Sequence, residues 1–201
     1  MLPTHLLVIR SGATEYDLLG RIRGTLDIPL STVGIAEAEA AATLLAASPP
    51  DALYTADGPC AEETAAIIGR RVGMRPRSLA DLDNLDQGLW QGMLVEEIRR
   101  RQPRLARQWE ENPWAVMPPD GEPLDEACDR VDSALERIFK RHSGGRIAVV
   151  VPHPLDRIIR WTVAGEPLGD LWDRDAAVPP VVELPLSAGW KPFLRQQPVM
   201  G

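Results

Sequence analysis

Two short, uninterrupted apolar runs constrain the fold of this chain more than any other sequence feature. They lie at residues 5–9 and 146–151, and runs of this kind are typical of central strands that are covered on both faces. Between them, segments with helical spacing alternate with further strand-like segments. This alternation predicts an α/β fold, a three-layer sandwich with a mostly parallel central sheet flanked by helices.

Caps, breakers and apolar spacing place the remaining elements. Ser31 or Thr32 is the expected cap of the first long helix, and Pro103 is expected to interrupt a charged helical stretch. The predicted elements are helices at about 33–47, 58–72, 95–111 and 124–143, strands at 52–55, 181–185 and 190–194, and an irregular segment at 81–92.

Length and composition predict one soluble domain that covers residues 1–201. A chain of 201 residues with 44% apolar and 25% charged residues can build a substantial core. The sequence has neither a secretory leader nor an apolar stretch of roughly 20 residues, so we expect a cytoplasmic protein that does not bind a membrane. The net charge of -7 argues against nonspecific nucleic-acid binding.

The two cysteines predict neither a metal site nor a disulfide. Cys60 and Cys128 lie far apart in the chain, without a C-x-x-C spacing and without a histidine nearby. We expect both to be buried free thiols, and the alternative for Cys60 is a reactive thiol at a helix start. No metal and no cofactor are expected.

Four separated segments resemble the histidine phosphatase superfamily, whose fold is called phosphoglycerate-mutase-like. The first begins at Arg10-Ser11-Gly12-Ala13-Thr14 and is similar to the signature Arg-His-Gly-x-Thr. This first segment ends at Leu30-Ser31-x-x-Gly34. The second combines Tyr54-Thr55 with Ala61-Glu62-Glu63-Thr64-Ala65. The third is Gly88-Leu89-Trp90-Gln91-Gly92, and the fourth is the strand that ends at Pro152-His153. Together they cover most of the chain, and the resemblance implies phosphoryl chemistry.

The resemblance assigns catalytic positions that this chain has largely changed. In the superfamily a histidine after the first strand attacks phosphorus, and Ser11 stands at that position. Asn84 replaces the glutamate that donates a proton. The second histidine is retained as His153, although Pro152 and Pro154 restrict its turn.

The phosphate-binding positions are altered as well. The first arginine is retained as Arg10, but the second falls on Cys60, and Asp17 replaces an asparagine. Arg10 either binds an anion at the strand end or forms a salt bridge with Asp17 or another acid. His153 either contributes to the site or is a hydrogen-bonded turn residue.

These substitutions predict a catalytically degenerate protein with a binding or structural role. Loss of a nucleophile from a cooperating catalytic unit can cost on the order of 10⁶ in kcat. The alternative is an active phosphomonoesterase or phosphoglycerate-mutase-like enzyme with a non-standard nucleophile. A third reading is a small-molecule hydrolase built on Ser11 and His153, although no acid that would orient the histidine is identifiable in the sequence.

A helical insertion at about 93–120 corresponds to a region that often forms a lid in the superfamily. Its basic residues, Arg99 to Arg101 with Arg104 and Arg107, either supply cations to the site or form a solvated helix face with the glutamates around them. Trp109 and Trp114 are expected in the core, and the alternative is that they line a ligand pocket or a partner surface. The expected partners are a small anionic or phosphorylated ligand and possible protein contacts, including a second copy of the chain.

Overall fold

The computed structural model describes residues 4–142, 144–174, 178–186 and 190. Its strands are β1 (His5–Arg10), β2 (Ala52–Thr55), β3 (Arg77–Ser78), β4 (Arg146–Val151) and β5 (Val181–Pro185). Its helices are α1 (Glu15–Leu18), α2 (Thr32–Ala47), α3 (Pro59–Val72), α4 (Val95–Arg101), α5 (Pro103–Glu111), α6 (Leu124–Arg141) and α7 (Leu155–Ala164). Within these ranges, no helix combines the length and apolar character that a membrane crossing requires.

The strands form one sheet in the order β3-β2-β4-β1-β5. All neighbouring pairs are parallel except β1 and β5, which are antiparallel. The predicted α/β fold with a mostly parallel sheet is therefore confirmed. β1 and β4 pair from His5 with Arg146 to Arg10 with Val151, so the segments that follow these two strands leave the sheet side by side.

Each central strand contributes side chains to two separate hydrophobic cores, because successive side chains point to opposite faces of the sheet. Leu7 and Ile9 pack with α2 and α3 on one face. Leu6 and Val8 pack with α6 and α7 on the other face. All four side chains are at most 2% exposed, and full burial of one such side chain contributes about 1.5–3 kcal/mol.

Two glycines bring the turn after β1 against the start of α2. A Cβ atom on Gly12 would lie 2.2 Å from the Gly34 carbonyl oxygen, so a larger residue does not fit. Ser31 caps α2 by accepting a hydrogen bond from the Gly34 N–H at 3.1 Å, and its hydroxyl donates to the Ala13 carbonyl at 2.8 Å. This contact fixes the turn that carries Ser11.

The sequence analysis missed three elements, and one predicted strand lies largely outside the described residues. β3 has two residues and α1 has four, so neither produces a periodic signal. Helix α7 begins directly after Pro154, a proline that we took only as a restriction on the turn. Of the predicted strand at 190–194, residues 191–194 lie outside the described residues.

Candidate active site

Arg10, Ser11 and His153 lie at or just beyond the carboxyl ends of the neighbouring strands β1 and β4. The Ser11 N–H donates to the Val151 carbonyl at 2.8 Å, which holds the turn against the end of β4. The Ser11 hydroxyl donates to Cys60 Sγ at 3.6 Å. Cys60 lies in the first turn of α3, so three elements meet at Ser11.

Asp156 joins the two retained family residues. Its Oδ2 accepts from Arg10 Nε at 2.8 Å, and its Oδ1 accepts from His153 Nδ1 at 3.1 Å. All three residues are buried. Asp156 lies three residues after His153 in the first turn of α7, where the sequence analysis identified no acid. The predicted salt bridge of Arg10 with Asp17 is wrong; the partner is the other acid, Asp156.

The charges around Asp156 keep it ionised. Burial by itself raises the pKa of a carboxyl. Here the hydrogen bond from His153, its charge and the adjacent Arg10 guanidinium outweigh burial and hold the pKa of Asp156 well below its usual range. Asp156 therefore fixes His153 with Nδ1 as the donor and Nε2 directed elsewhere.

Asp17 stabilises the short helix α1 instead of pairing with Arg10. Its Oδ2 accepts from the Thr14 N–H and from the Thr14 hydroxyl, both at 2.7 Å, which forms a capping box. Its nearest cation is Arg23, whose Nε lies 3.9 Å from Oδ2. Asp17 still lines the cleft, so it places a carboxylate at the predicted position.

Asn84 is buried and connects two loops of the cleft by hydrogen bonds. Its Nδ2 donates to the Gly24 carbonyl at 2.8 Å and to the His153 carbonyl at 3.0 Å. Oδ1 has no hydrogen-bond partner among the described residues. Asn84 thus joins two loops of the cleft, but as a carboxamide it has no acidic proton to give to a leaving group.

Two adjoining cavities form the cleft at this edge of the sheet. The basic lobe, about 220 Å³, is lined by three arginines and two aspartates, with His153 beside them: Arg21, Arg23, Arg174, Asp17 and Asp173. The acidic lobe, about 110 Å³, is lined on its anionic side by Asp27, Asp57 and Asp83, with Cys60 and Asn84 beside them. Arg23 and Gly24 line both lobes.

Arg23 is a site residue that the sequence analysis missed. Its side chain is 6% exposed, and its Nη2 donates to the His153 carbonyl at 3.4 Å. No described group accepts a hydrogen bond from its Nε. His153 Nε2 is likewise buried and unbonded in the described part of the chain. In the basic lobe, Arg23 Nε is therefore a donor without a described acceptor, and His153 Nε2, with the ring proton on Nδ1, is an acceptor without a described donor.

Comparison with known proteins identifies the family. The profile of the histidine phosphatase superfamily (branch 1) matches residues 6–188. The chain belongs to the histidine phosphatase superfamily. Phosphoserine phosphatase 1 of Hydrogenobacter thermophilus is 31% identical over 168 residues, which cover 83% of this chain and 79% of that protein.

Solved structures show the same histidine phosphatase fold. Bacillus stearothermophilus YhfR superimposes with a TM-score of 0.80 at 25% identity and covers 94% of each chain. A histidine-to-alanine mutant of phosphoserine phosphatase from Entamoeba histolytica, in complex with phosphoserine, superimposes with a TM-score of 0.78 at 19% identity and covers 93% of each chain. The predicted family is thus confirmed.

The arginines at 99–107 do not line either lobe of the cleft. Arg99 pairs with Glu110 at 2.7 Å and with Asp170 at 2.9 Å, and Arg107 pairs with Glu111 at 2.7 Å. These pairs agree with a solvated helix face rather than with a source of cations for the site. The basic lobe is lined instead by other arginines, which include Arg23 and Arg174.

Arg174 closes the basic lobe from the far end of the chain. It donates to Glu37 at 2.7 Å and to the Ser11 carbonyl at 3.2 Å. Neither Arg23 nor Arg174 belongs to a motif, so only the position of Arg23 beside the family glycine at Gly24 gave a sequence signal.

A tryptophan cluster supports the wall of the same lobe. Trp172 lines the cavity and packs on Trp90 and Trp109, with ring centroids 5.3 and 5.7 Å apart. Trp109 is in the core as predicted. The prediction for Trp114 is wrong: it is 40% exposed and packs against Trp161 at 4.8 Å. In the described ranges, no group of three or more His, Cys, Asp or Glu side chains could hold a metal ion.

Proposed function

We propose that this chain binds a phosphomonoester in the two-lobed cleft and does not hydrolyse it through a phosphohistidine. The observation that carries the proposal is the identity of the residue that follows β1. Ser11 stands there with its hydroxyl donating to Cys60 Sγ. A serine has no imidazole nitrogen to accept the phosphoryl group, and Asn84 cannot donate the proton that the family glutamate provides.

Asp156 supports the same proposal because its carboxylate already forms an ion pair with Arg10. The Nε of Arg10 and the Nδ1 of His153 both donate to this one carboxylate. The negative charge of Asp156 offsets the positive charge of Arg10, which lowers the affinity of a phosphate for the end of β1.

Arg23 and Arg174 offer a second way to hold the phosphate. They line one cavity, and a charge-assisted hydrogen bond contributes about 1.5–3 kcal/mol. Phosphoserine phosphatase from Entamoeba histolytica with a histidine replaced by alanine is found in complex with phosphoserine. Binding of a phosphomonoester is therefore compatible with loss of a histidine in this fold.

An active phosphomonoesterase or phosphoglycerate-mutase-like enzyme with a non-standard nucleophile is the second candidate. The names of the relatives favour it over a degenerate protein, because they are phosphatases. The pair of His153 and Asp156 favours it too, since an oriented imidazole can act as a general base toward water. Against the hydrolase reading, no hydrogen bond joins Ser11 to His153 among the described residues.

Calorimetric titration and turnover assays on the same preparation separate the two candidates. The ligands are O-phospho-L-serine and p-nitrophenyl phosphate, and the matched variant is His153→Ala. We expect saturable binding without phosphate release above the rate in buffer. Saturable release that His153→Ala abolishes would establish the second candidate, and absence of both binding and release would contradict both.

A further inference from the structure

The acidic lobe lies where the superfamily pattern places an arginine and a glutamate. Those two positions carry Cys60 and Asn84 here, and both residues line the lobe. Asp57 and Asp83 are in direct contact, because the Asp57 N–H donates to Asp83 Oδ1 at 2.9 Å. The substitution of the arginine thus removed a cation from a region that contains several carboxylates.

The negative charge of this lobe is only partly neutralised. Burial raises the pKa of Asp83, the nearby Asp57 carboxylate raises it further, and Asp27 adds to the effect. Arg130 acts in the opposite direction from outside the lobe. On the lining itself, three aspartates face one arginine, Arg23. Carboxylates arranged in this way attract a cation.

Asn84 adds an independent sign of a missing partner. The residue is 5% exposed, and its two Nδ2 hydrogen bonds determine which end of the amide is the oxygen. Oδ1 is therefore an acceptor to which no described donor binds. Buried polar atoms are normally hydrogen-bonded, so an unbonded acceptor beside acidic side chains indicates a donor that arrives with a ligand.

We propose that the acidic lobe binds a primary ammonium group, and that the ligand is a phosphomonoester carrying such a group. An ammonium supplies three N–H donors and a positive charge, which fit Asn84 Oδ1 and the aspartates. The phosphate occupies the basic lobe, which adjoins the acidic lobe at Arg23 and Gly24. This inference rests on the proposed function for the phosphate half of the ligand.

Matched ligand pairs test the ammonium directly. ω-Aminoalkyl phosphates with two to five methylene groups are titrated against the n-alkyl phosphates of equal length by calorimetry. We expect the best-fitting amino compound to bind about five- to tenfold more tightly than its alkyl partner, since these carboxylates are partly solvated. Equal affinities within every pair would overturn the inference and leave the proposed function intact.

Charge variants test the location. Asp27→Asn and Asp57→Asn keep the side-chain shape and remove one negative charge each, and we expect either to reduce the gain from the amine at least about threefold. Glu39→Gln is the matched control, because it makes the same change in charge on the exposed face of α2. A gain that survives both aspartate variants would place the ammonium elsewhere and overturn the inference.

Propylamine without a phosphate separates this inference from the proposed function. Its binding is followed by chemical-shift changes in the protein with and without Asp27→Asn. If none of the phosphates binds but propylamine binds in a way that depends on Asp27, the proposed function is wrong and the ammonium site is retained. No Asp27-dependent binding of either propylamine or the aminoalkyl phosphates would sink the ammonium site.

Discussion

The interior of the sheet and its carboxyl edge are built from the same two strands but differ in how they are held together. Along β1 and β4 the side chains from Leu6 to Ile9 and from Ile147 to Val151 are apolar and buried on both faces. One residue farther, the chain buries Arg10, and His153 and Asp156 follow β4. The interior depends on packing, whereas the edge depends on a buried carboxylate to which Arg10 and His153 donate.

This difference explains which features of the superfamily persist here. Apolar packing tolerates exchange among residues of similar volume, so the fold is retained at modest sequence identity. The edge contains specific charges, and each change there requires a compensating group. At this edge Asp156 binds Arg10, and Arg23 and Arg174 line the basic lobe.

Asp156→Ala tests the edge and has the largest expected effect. Removal of this carboxylate takes away the buried anion to which Arg10 Nε and His153 Nδ1 donate, so the free energy of unfolding should fall by about 3–5 kcal/mol. Urea unfolding of the wild type and the variant measures the change. A loss below about 1 kcal/mol would show that the edge does not depend on this ion pair.

Arg23→Gln tests whether the basic lobe holds the phosphate. Loss of charge-assisted hydrogen bonds should weaken binding of O-phospho-L-serine by about 1.5–3 kcal/mol, which is roughly 10- to 150-fold. Arg107→Gln, outside both lobes, is the control. Equal affinities for the two variants would assign the phosphate to other groups.

Val149→Ala tests the interior by the same unfolding measurement. Val149 is fully buried in β4, and removal of two methyl-sized groups with partial collapse of the cavity should cost about 2 kcal/mol. Val33→Ala on α2 is the control, since Val33 is 45% exposed and should change stability little. Similar losses at both sites would contradict the assigned burial.

Acid should weaken the edge before it weakens the interior. The pKa of Asp156 is lower in the folded protein than in the unfolded chain, where it is about 3.9. Its stabilisation is therefore present above about pH 4 and declines as the pH falls below that value. The stability difference between wild type and Asp156→Asn should shrink from pH 7 to pH 2.5, and a constant difference would contradict this linkage.

Ser11→His is expected to have the smallest effect, on turnover. The new imidazole would lack both the arginine and the proton donor, because Cys60 and Asn84 remain. Phosphate release from p-nitrophenyl phosphate should stay within about tenfold of the rate in buffer. Robust activity from this single change would mean that Cys60 and Asn84 matter less than proposed.

Most of the fold was predictable because its signals are local. The apolar runs marked β1 and β4, Ser31 marked the start of α2, and Pro103 marked the break between α4 and α5. The missed helix α7 follows two prolines that hid its start, and β3 is too short to have a period. Of the candidate site, motif positions identified Arg10, Ser11, Asn84 and His153, but not what each contacts.

The sequence by itself determined the family and the sheet, and it showed that Ser11 follows the first strand, because each depends on residue identity or on short-range periodicity. Only the tertiary structure decided the partner of Arg10 and the division of the cleft into basic and acidic lobes. Arg10 and Asp156 are 146 residues apart, and they meet because β1 and β4 pair in parallel. The balance of charges in the cleft depends on such long-range pairing, and the spacing of residues along the sequence does not determine it.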